Sequence, residues 1–418
     1  MSIDSRPTPA NVDAVPAWKT APVSKSARSV ELFDVAVIGG GLWGLSVAWH
    51  LAQGGKRVVV LERRHVGSGS SSRNVGRVRS IQLTPEMTRL ALAAQAKHDR
   101  LGRELGQNTL FWRAGYLWAL YSEKEVETFR ALLPMLREEN CPARLLDTRG
   151  ALETSPILKG GERPFGAMYG AKDVIVHHDA VMYAYLNACR RSGVEVREHC
   201  PVVAIDLSSS GVSGVETTVG PVRADVVINA AAGWSSDISR MAGLRTPNVP
   251  YRREAFVTES AHPFMSAAIT FYSPIEGWFN QTLRGELVAG SIAPDESAGV
   301  NLTGSLESLE RTSALLLRKA PRLGKLRVVR QWAGVYDMTP DRKPLVGPSR
   351  VRGFYQFSGC NGRGFSLGPI LAQLLAQQML TGRRDSLLNG FEADRFDAVS
   401  DAKVTIGDYY TAYAKSAS

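Results

Sequence analysis

Several features that mark specialised classes of protein are scarce in this sequence. Cysteine occurs four times in 418 residues, with no C-x-x-C pair and no spacing typical of a metal site. Neither a disulfide framework nor a zinc site is therefore indicated. No uninterrupted apolar segment reaches the roughly 18–20 residues that a membrane-spanning helix needs. These shortages favour a cytoplasmic globular protein with free thiols and without a membrane span.

Acidic residues are outnumbered as well, with 40 Asp and Glu against 50 Lys and Arg. The basic residues are scattered, form no run of five and accompany no nucleic-acid-reading motif, so nucleic-acid binding is not indicated. A scattered positive excess instead suits an anionic cofactor, an anionic substrate or an acidic partner surface. The length of the chain favours two domains over a single core.

The most informative pattern is a glycine-rich turn between a short apolar strand and a helix. Gly39, Gly41 and Gly44 have the G-x-G-x-x-G spacing directly after the apolar run 35–38. In this motif the first glycine permits the turn and the second lets the backbone approach a pyrophosphate. The third lets the helix pack closely on the strand.

The residues around that turn complete a strand–helix–strand unit. The backbone N–H groups of Leu42 and Trp43 stand at the start of the helix, where the positive end of the helix dipole favours phosphate. Glu62 follows the second strand, 18 residues after Gly44, where an acid can accept a hydrogen bond from a ribose hydroxyl. The whole pattern predicts a dinucleotide-binding unit.

Strand–helix alternation marks both ends of the chain, with β-rich stretches between and a long helix predicted over 369–380. This arrangement predicts an α/β fold (α+β overall): a Rossmann-like cofactor-binding domain with an inserted antiparallel β-sheet substrate domain. The predicted divisions are a flexible tail (1–30), the cofactor-binding domain (31–95, 165–245 and 330–395), the substrate domain (96–164 and 246–329) and a C-terminal tail (396–418).

Further motifs extend beyond this unit: the loop 70–80, the strand and turn 229–235, and the pair 332–347 and 359–364. With the glycine-rich unit, they resemble the glycine/D-amino-acid oxidase (DAO) superfamily of flavoproteins. Within it they are most similar to the β subunits of heterotetrameric sarcosine oxidases. The string Trp–Gly–Thr-Pro-Asp–Pro–Gly in 332–347 is highly specific for the superfamily.

The resemblance implies that the dinucleotide is FAD, held without a covalent bond. Gly39 to Gly44 would then hold its pyrophosphate and Glu62 its adenosine ribose. A Gly-rich turn over the flavin would place backbone donors where negative charge develops on reduction. The further cofactor contacts that the resemblance implies are Ser70, Ser71, Arg73, Asn74 and Arg77 in the loop, Val203 at the adenine, and Gly359, Gly362, Gly364 and Ser366 over the flavin ring.

Three other residues receive roles from the same resemblance. Arg79 would bind the carboxylate of an amino acid, which a guanidinium does with two parallel hydrogen bonds. His178 would carry a covalently attached FMN, and His177 would lie toward the FAD site and tune flavin or substrate protonation. The alternatives stay open: a surface or phosphate-facing Arg79, and a histidine pair that only ends a strand and begins a helix.

One position departs from the superfamily. Ser366 stands where related proteins have a lysine that helps bind the substrate carboxylate, which puts sarcosine itself in doubt. Arg363 is a candidate replacement, or else it is solvated or faces a partner. Tyr251, Tyr272, Trp278 and Tyr336 are candidates for an aromatic cage around an amine, although such residues also commonly form a core.

The sequence therefore predicts FAD-dependent oxidation of a secondary or N-alkyl amino acid, with hydride transfer from Cα–H to flavin N5. The chain would act as the β subunit of a hetero-oligomeric oxidase or dehydrogenase with a larger subunit, in the cytoplasm. Two alternatives are a heteromeric dehydrogenase of proline, hydroxyproline, an opine or glycine, and a flavin-bearing electron-transfer or scaffold subunit.

Overall fold

The computed structural model describes residues 32–293 and 295–397. The predicted N-terminal tail lies outside the described residues, as does the predicted C-terminal tail after residue 397. The described strands are β1 (Leu32–Ile38), β2 (Val58–Leu61), β3 (Arg77–Val78), β4 (Tyr116–Leu120), β5 (Ala143–Asp147), β6 (Gly166–Gly170), β7 (Val174–Ile175), β8 (Glu195–Arg197), β9 (Val202–Ser208), β10 (Gly211–Thr217), β11 (Gly220–Asn229), β12 (Val249–Ser260), β13 (Ala268–Phe271), β14 (Gly277–Gln281), β15 (Glu286–Ser291), β16 (Val328–Met338), β17 (Leu345–Pro348) and β18 (Phe354–Ser358). The described α-helices are α1 (Leu42–Gln53), α2 (Pro85–Leu105), α3 (Glu123–Ala131), α4 (Leu133–Glu138), α5 (Thr148–Thr154), α6 (His178–Arg191), α7 (Ser235–Met241), α8 (Leu306–Lys319) and α9 (Gly364–Thr381).

The first sheet carries the glycine-rich unit. Its strand order is β17-β18-β11-β1-β2-β8, with β10 beside β11 and β9 beside β10. The strands from β18 to β8 along this order run parallel to one another. Apolar clusters cover both faces of β1, which explains why its apolar run is continuous rather than alternating.

The second sheet has the strand order β16-β12-β15-β14-β13-β4-β6-β5. It forms part of the wall of the cavity described below. Its neighbours are antiparallel except for β4 and β13, which run parallel. The fold class predicted from the sequence, a Rossmann-like sheet with an inserted, mainly antiparallel sheet, is confirmed.

Membership of the two sheets differs from the predicted domain boundaries at two places. The strand β6 begins at Gly166, inside the range predicted for the cofactor-binding domain, yet it pairs with β4 and β5 of the second sheet. The strand β16 extends to Met338, and it pairs with β12 of the second sheet. The sheet that a strand joins depends on its pairing partners. Those partners lie far along the chain, so the local sequence pattern does not predict which sheet the strand joins.

Helices α1, α2, α6 and α9 pack together on one face of the first sheet, around an apolar core. The short antiparallel ribbon of β3 and β7 pairs Arg77 with Ile175 and Val78 with Val174, and so brings the 77–78 segment beside the 174–175 segment. Among the residues that the structure describes, no helix is long and apolar enough to cross a membrane.

Candidate functional site: a cavity between the glycine turn and the second sheet

A cavity extends from the glycine turn before α1 to the second sheet. Its walls come from that turn, the loop 70–79, the strands β12, β14 and β16, and the segment 357–367. One cavity therefore joins the glycine turn, where the sequence predicts a dinucleotide, to the second sheet, which it predicts to hold the substrate.

The glycine turn has the geometry that its spacing predicts. A Cβ at Gly44 would collide with the carbonyl oxygen of Gly39, so the close approach of α1 to the turn requires glycine. Gly41 differs, because a Cβ there would meet within 4 Å only the Ser71 Oγ, at 3.0 Å. Gly41 lines the cavity, so its backbone is accessible from the cavity, as the predicted contact with a pyrophosphate requires.

Two side chains fasten this turn. One carboxylate oxygen of Glu62 accepts from the Gly40 N–H at 2.8 Å, and the other accepts from the Arg64 N–H at 2.9 Å. The Oγ of Ser71 accepts from the Leu42 N–H at 2.9 Å. Glu62 therefore stands at the turn itself, although it does not line the cavity.

The loop predicted for the cofactor is attached to β16 of the second sheet. The Oγ of Ser70 bridges the carbonyl oxygen and N–H of Val335 at 2.7 and 3.0 Å. The Nε1 of Trp332 donates to the Arg73 carbonyl oxygen at 2.9 Å. Among the loop residues, the cavity wall includes Ser70, Ser71, Arg73 and Asn74.

The second predicted cofactor turn closes the same cavity. Gly362, Gly364 and Ser366 line it, and the Trp43 Nε1 donates to the Gly364 carbonyl oxygen at 2.6 Å. This hydrogen bond connects residues 321 positions apart. It links α1, which follows the first glycine-rich turn, to α9, which begins in the second. Gly359 lies outside the wall and begins the turn with φ +70°.

The helix predicted to begin at Pro369 begins at Gly364 instead. Pro369 has no N–H, so the carbonyl of Phe365 loses its helical partner. The Nε2 of His98 lies 3.1 Å from the neighbouring Ser366 carbonyl oxygen and also hydrogen-bonds the Phe365 carbonyl. Because carbonyl oxygens only accept, Nε2 carries the proton, and burial lowers the pKa of His98 to about 4. A neutral buried histidine thus supports the first turn of α9.

A buried carboxyl group holds the start of the second turn. Asp337 accepts from the Gly359 N–H at 2.6 Å and from the Asn248 Nδ2 at 3.1 and 3.2 Å. The Asn248 amide also donates to the Ser358 Oγ at 3.2 Å. Burial raises the pKa of Asp337 from 3.8 to about 7, against the lowering effect of these hydrogen bonds.

The raised pKa of Asp337 predicts that the stability of the protein depends on pH. The folded state holds the proton of the Asp337 carboxyl more tightly than the unfolded chain does. The stabilisation that this proton provides is therefore full below pH 3.8 and is lost as the pH rises through about 7. Asp337→Asn removes the ionisation, so the variant gains stability relative to the wild type by about 1.4 kcal/mol per pH unit within this window. Urea unfolding between pH 4 and 8 measures the difference. Asp237→Asn, at an exposed helix position, controls for net charge; parallel profiles for Asp337→Asn and the wild type would contradict the expectation.

Arg77 lies at the end of the cavity formed by the second sheet. Its guanidinium donates to the Tyr116 Oη at 3.0 Å and to the Thr270 Oγ1 at 3.1 Å, and it lies 4.7 Å from the centre of the Trp278 ring. These contacts place Arg77 toward the second sheet rather than toward the glycine turn, and its predicted contact with the cofactor stays a prediction. The reason is the ribbon of β3 and β7, which carries the chain away from the loop 70–74.

Arg79 shares this end of the cavity, and its binding of a substrate carboxylate stays a prediction. Its Nη1 lies 3.5 Å from the same Tyr116 Oη, and its guanidinium lies 4.5 Å from the centre of the Trp118 ring. Its positive charge also lowers the pKa of buried Asp173, although desolvation raises that pKa overall, to about 6. Two cations thus stand side by side around one phenol.

Sequence reasoning missed two charged residues here. Arg253 of β12 and Glu276, just before β14, both line the cavity. The alternation of β12 could have indicated Arg253, because it shares a face with Tyr251 and Ala255. Of the aromatic candidates, Trp278 and Tyr336 line the cavity, whereas Tyr251 and Tyr272 are buried outside its wall.

Arg363, the candidate replacement for the missing lysine, is buried and lines the cavity rather than facing solvent. Its Nη1 donates to the Arg342 carbonyl oxygen at 3.3 Å. This contact holds the guanidinium near the turn 359–366.

The predicted site residues outside the cavity wall are Gly39, Gly44, Glu62, Gly359, Val203, His177 and His178. Val203 is 52% exposed on β9. His177 precedes α6 and His178 begins it, with their rings stacked at 5.1 Å. Arg284 and Glu286 are the charges near His177. The His177 N–H donates to the Thr109 carbonyl oxygen, and its ring lies against His178. This placement does not support the prediction that His177 lies toward the FAD site.

His178 is enclosed by charged groups. Its Nε2 lies 3.5 Å from the Asp179 carboxylate, and the positive charges of Arg284 and Arg330 act on it. Burial lowers the pKa of His178 to about 4, so its imidazole is neutral at physiological pH.

Comparison with known proteins gives a consistent result. The model of the family described as FAD dependent oxidoreductase (DAO) matches residues 34–378. The chain is 28% identical to sarcosine oxidase subunit beta of Rhodobacter capsulatus over 369 residues, or 86% of this chain and 88% of that protein. It is 29% identical to glycine oxidase of Pseudomonas putida over 84% of this chain and 94% of that protein. The solved L-proline dehydrogenase of P. horikoshii superposes with a TM-score of 0.83 at 26% identity, over 90% of this chain and 100% of that one.

Proposed function

The chain belongs to the DAO family of FAD dependent oxidoreductases, and from this premise we propose that it oxidises a secondary or N-alkyl amino acid. It is an FAD-dependent enzyme that acts on amino acids, and the family predicted from its sequence motifs is confirmed. The observation that carries the finer proposal is the placement of Arg77 and Arg79 in the same cavity as the glycine turn and the segment 359–366.

The cofactor end of the cavity fits FAD. The open side of Gly41 and the N-terminus of α1 suit a pyrophosphate, and the loop 70–74 supplies small side chains and one guanidinium beside it. FAD supplies the acceptor for a hydride from the substrate. In our proposal, backbone N–H groups of the segment 359–366 stabilise negative charge on the reduced ring.

The second-sheet end fits the substrate. In our proposal, Arg79, with Arg77 beside it, binds the substrate carboxylate and so fixes the direction of the molecule in the cavity. The rings of Trp278 and Tyr336 line the space between this anchor and the segment 359–366, where they would enclose the amine. An amine that binds in its neutral form needs no strong side-chain base.

Anaerobic bleaching of the flavin tests this proposal with the chain alone. Secondary amino acids such as N-methylglycine and proline should bleach the 450 nm flavin band, while N-methylated amines without a carboxylate should bleach it far more slowly. A panel that includes hydroxyproline, glycine and an opine separates the proposed activity from the alternative dehydrogenases. If no amino acid bleaches the flavin, a scaffold or electron-transfer role replaces the proposed one.

We further propose that the chain works in the cytoplasm as one subunit of a hetero-oligomer that also binds FMN. The similarity to sarcosine oxidase subunit beta supports a heteromeric assembly. The four cysteines are free, which suits a reducing compartment. His178 supports the second flavin, because a neutral imidazole is a competent nucleophile for the flavin 8α carbon, and Arg284 and Arg330 suit its phosphate.

Acid precipitation of the native complex tests the second flavin. If His178 holds FMN covalently, flavin fluorescence stays with the denatured chain, and His178→Asn releases all of it. His262→Asn, a change at an exposed loop histidine, should retain the bound fluorescence. Release of all flavin from the wild type, accounted for as FAD, would contradict the FMN proposal and leave the FAD assignment intact.

A further inference from the structure

We propose that the buried Asp173 is an internal counter-ion of Arg79 and makes the binding of the substrate carboxylate depend on pH. In this proposal Asp173 is a positioning residue, because it acts on the substrate only through Arg79. The inference rests on the proposed function, in which Arg79 binds the substrate carboxylate. It adds a group that sets how tightly that carboxylate is held.

The first argument is the attachment of Asp173 to the segment that carries Arg79. Asp173 is fully buried. Its Oδ1 accepts from the Ser80 N–H at 2.9 Å, from the Ser80 Oγ at 2.6 Å and from the Gln95 Nε2 at 3.1 Å. Ser80 directly follows Arg79 in the sequence, so these bonds tie the carboxyl to the segment of the guanidinium. Asp173 does not line the cavity, whereas Arg79 does, so Arg79 stands between the acid and a ligand in the cavity.

The second argument is the unequal environment of the two carboxyl oxygens. In contrast to Oδ1, the Oδ2 of Asp173 is buried and has no hydrogen-bond partner among the described residues. Burial raises the pKa of Asp173 from 3.8 to about 6, while the hydrogen bonds from Ser80, the charge of Arg79 and the Gln95 amide lower it. A buried carboxylate is unfavourable unless a cation compensates it. The ionised form of Asp173 therefore depends on the positive charge of Arg79.

The other groups around Asp173 do not supply this charge. Gln95 comes from α2 and is uncharged. Burial, with a contribution from the Asp173 charge, raises the pKa of the Cys141 thiol before β5 to about 11, so this thiol stays neutral near physiological pH. Arg113 donates to the backbone carbonyl oxygen of residue 172 at 3.5 Å, but its guanidinium forms an ion pair with Asp99.

A substrate carboxylate at Arg79 would bring a second negative charge to the same cation. A nearby like charge disfavours ionisation, so the bound carboxylate raises the pKa of Asp173 further. By linkage, binding then takes up a proton when Asp173 is ionised beforehand. The affinity is highest below about pH 6, where Asp173 already holds its proton, and it decreases as the pH rises above this value. At neutral pH the ionised acid would also ease release of an oxidised product that keeps the carboxylate.

Calorimetric titration of the FAD-loaded protein with methoxyacetate tests the inference without turnover. This ether keeps the carboxylate of N-methylglycine and has no amine to oxidise. Between pH 5 and 8 we expect its dissociation constant for the wild type to rise about tenfold, which corresponds to a change of roughly one in the pKa of Asp173 on binding. Proton uptake near pH 7 is measured from the dependence of the binding heat on the ionisation enthalpy of the buffer.

Three variants assign this pH dependence. In Asp173→Asn the amide oxygen can still accept from Ser80 and Gln95, so tight binding should persist to pH 8 with less proton uptake. Ser80→Ala removes a hydrogen bond that favours ionised Asp173, so the decrease in affinity should move to higher pH. Asp337 also lines the cavity and has a pKa of about 7. Asp337→Asn is therefore the matched control, and it should keep the decrease that begins near pH 6.

Several results would overturn the role of Asp173. They are a wild-type affinity that does not change between pH 5 and 8, an Asp173→Asn profile that coincides with the wild type, and weaker binding by Asp173→Asn at every pH, which would indicate a purely structural residue. If Asp173→Asn does not fold, coincident profiles of Ser80→Ala and the wild type would also overturn it. Bleaching of the flavin by N-methylglycine in any of these cases would preserve the proposed function. Absence of both methoxyacetate binding and bleaching by every amino acid would reject the proposed function and the inference with it.

Discussion

Gly41→Val is expected to produce a folded protein that no longer retains FAD. The valine side chain would project from the N-terminus of α1 into the cavity, where the cofactor pyrophosphate must approach the backbone. Within 4 Å of the new Cβ the structure places only the Ser71 Oγ, at 3.0 Å, so a small shift of this hydroxyl would accommodate the Cβ. Purified protein should be colourless, with a flavin-to-protein absorbance ratio near zero and a far-UV circular dichroism spectrum like that of flavin-stripped wild type.

Gly44→Val provides the matched control three residues away. Its Cβ would collide with the Gly39 carbonyl oxygen, so this variant should lose the fold as well as the flavin. Comparison of both variants with flavin-stripped wild type by thermal unfolding separates the two effects. Stoichiometric FAD in purified Gly41→Val would refute the placement of the pyrophosphate at this turn.

Arg79→Gln is expected to weaken the oxidation of amino acids by roughly a hundredfold or more in kcat/KM. The loss of a charge-assisted, two-point contact with a carboxylate removes about 3 kcal/mol of binding, and each 1.4 kcal/mol or so is tenfold in rate or affinity. Bleaching by secondary amines without a carboxylate should change little. Anaerobic stopped-flow measurements of flavin reduction with both classes of substrate give the comparison.

Arg113→Gln is a suitable control, because Arg113 forms an exposed ion pair with Asp99 away from the cavity wall. The flavin content and melting temperature of Arg79→Gln need measurement as well, since Arg79 also acts on the buried Asp173 carboxyl. An equal loss for amines with and without a carboxylate would mean that Arg79 serves the flavin or the fold.

The cofactor half of the site was largely predictable from sequence. The spacing of Gly39, Gly41 and Gly44 and the position of Glu62 after β2 reflect contacts within about thirty residues. The start of α9 was not predictable in the same way, because Pro369 normally argues against a helix that begins before it. At this earlier start the ring of His98, from 268 residues away, hydrogen-bonds the Ser366 carbonyl oxygen of the first turn, a contact that the local sequence does not reveal.

The residues at the second-sheet end of the cavity were less predictable from sequence. Arg79 was assigned from family resemblance, whereas Arg253 and Glu276 were missed. Arg77 was assigned to the cofactor, and its contacts with Tyr116 and Thr270 place it against the second sheet. No local pattern marks a side chain that reaches a cavity from the middle of a sheet.

By itself, the sequence determined the family, the glycine-rich turn and the mixed α/β architecture, because each is marked by short motifs that can be recognised along the chain. Only the tertiary structure decided which charges meet in the cavity and that His177 and His178 lie outside its wall. The physical reason is strand pairing: the order β16-β12-β15-β14-β13-β4 places Arg253 on the sheet whose other strands hold Arg77 and Arg79. Residues about 175 positions apart thereby form one charged end of the site, and that proximity exists only after the sheet has formed.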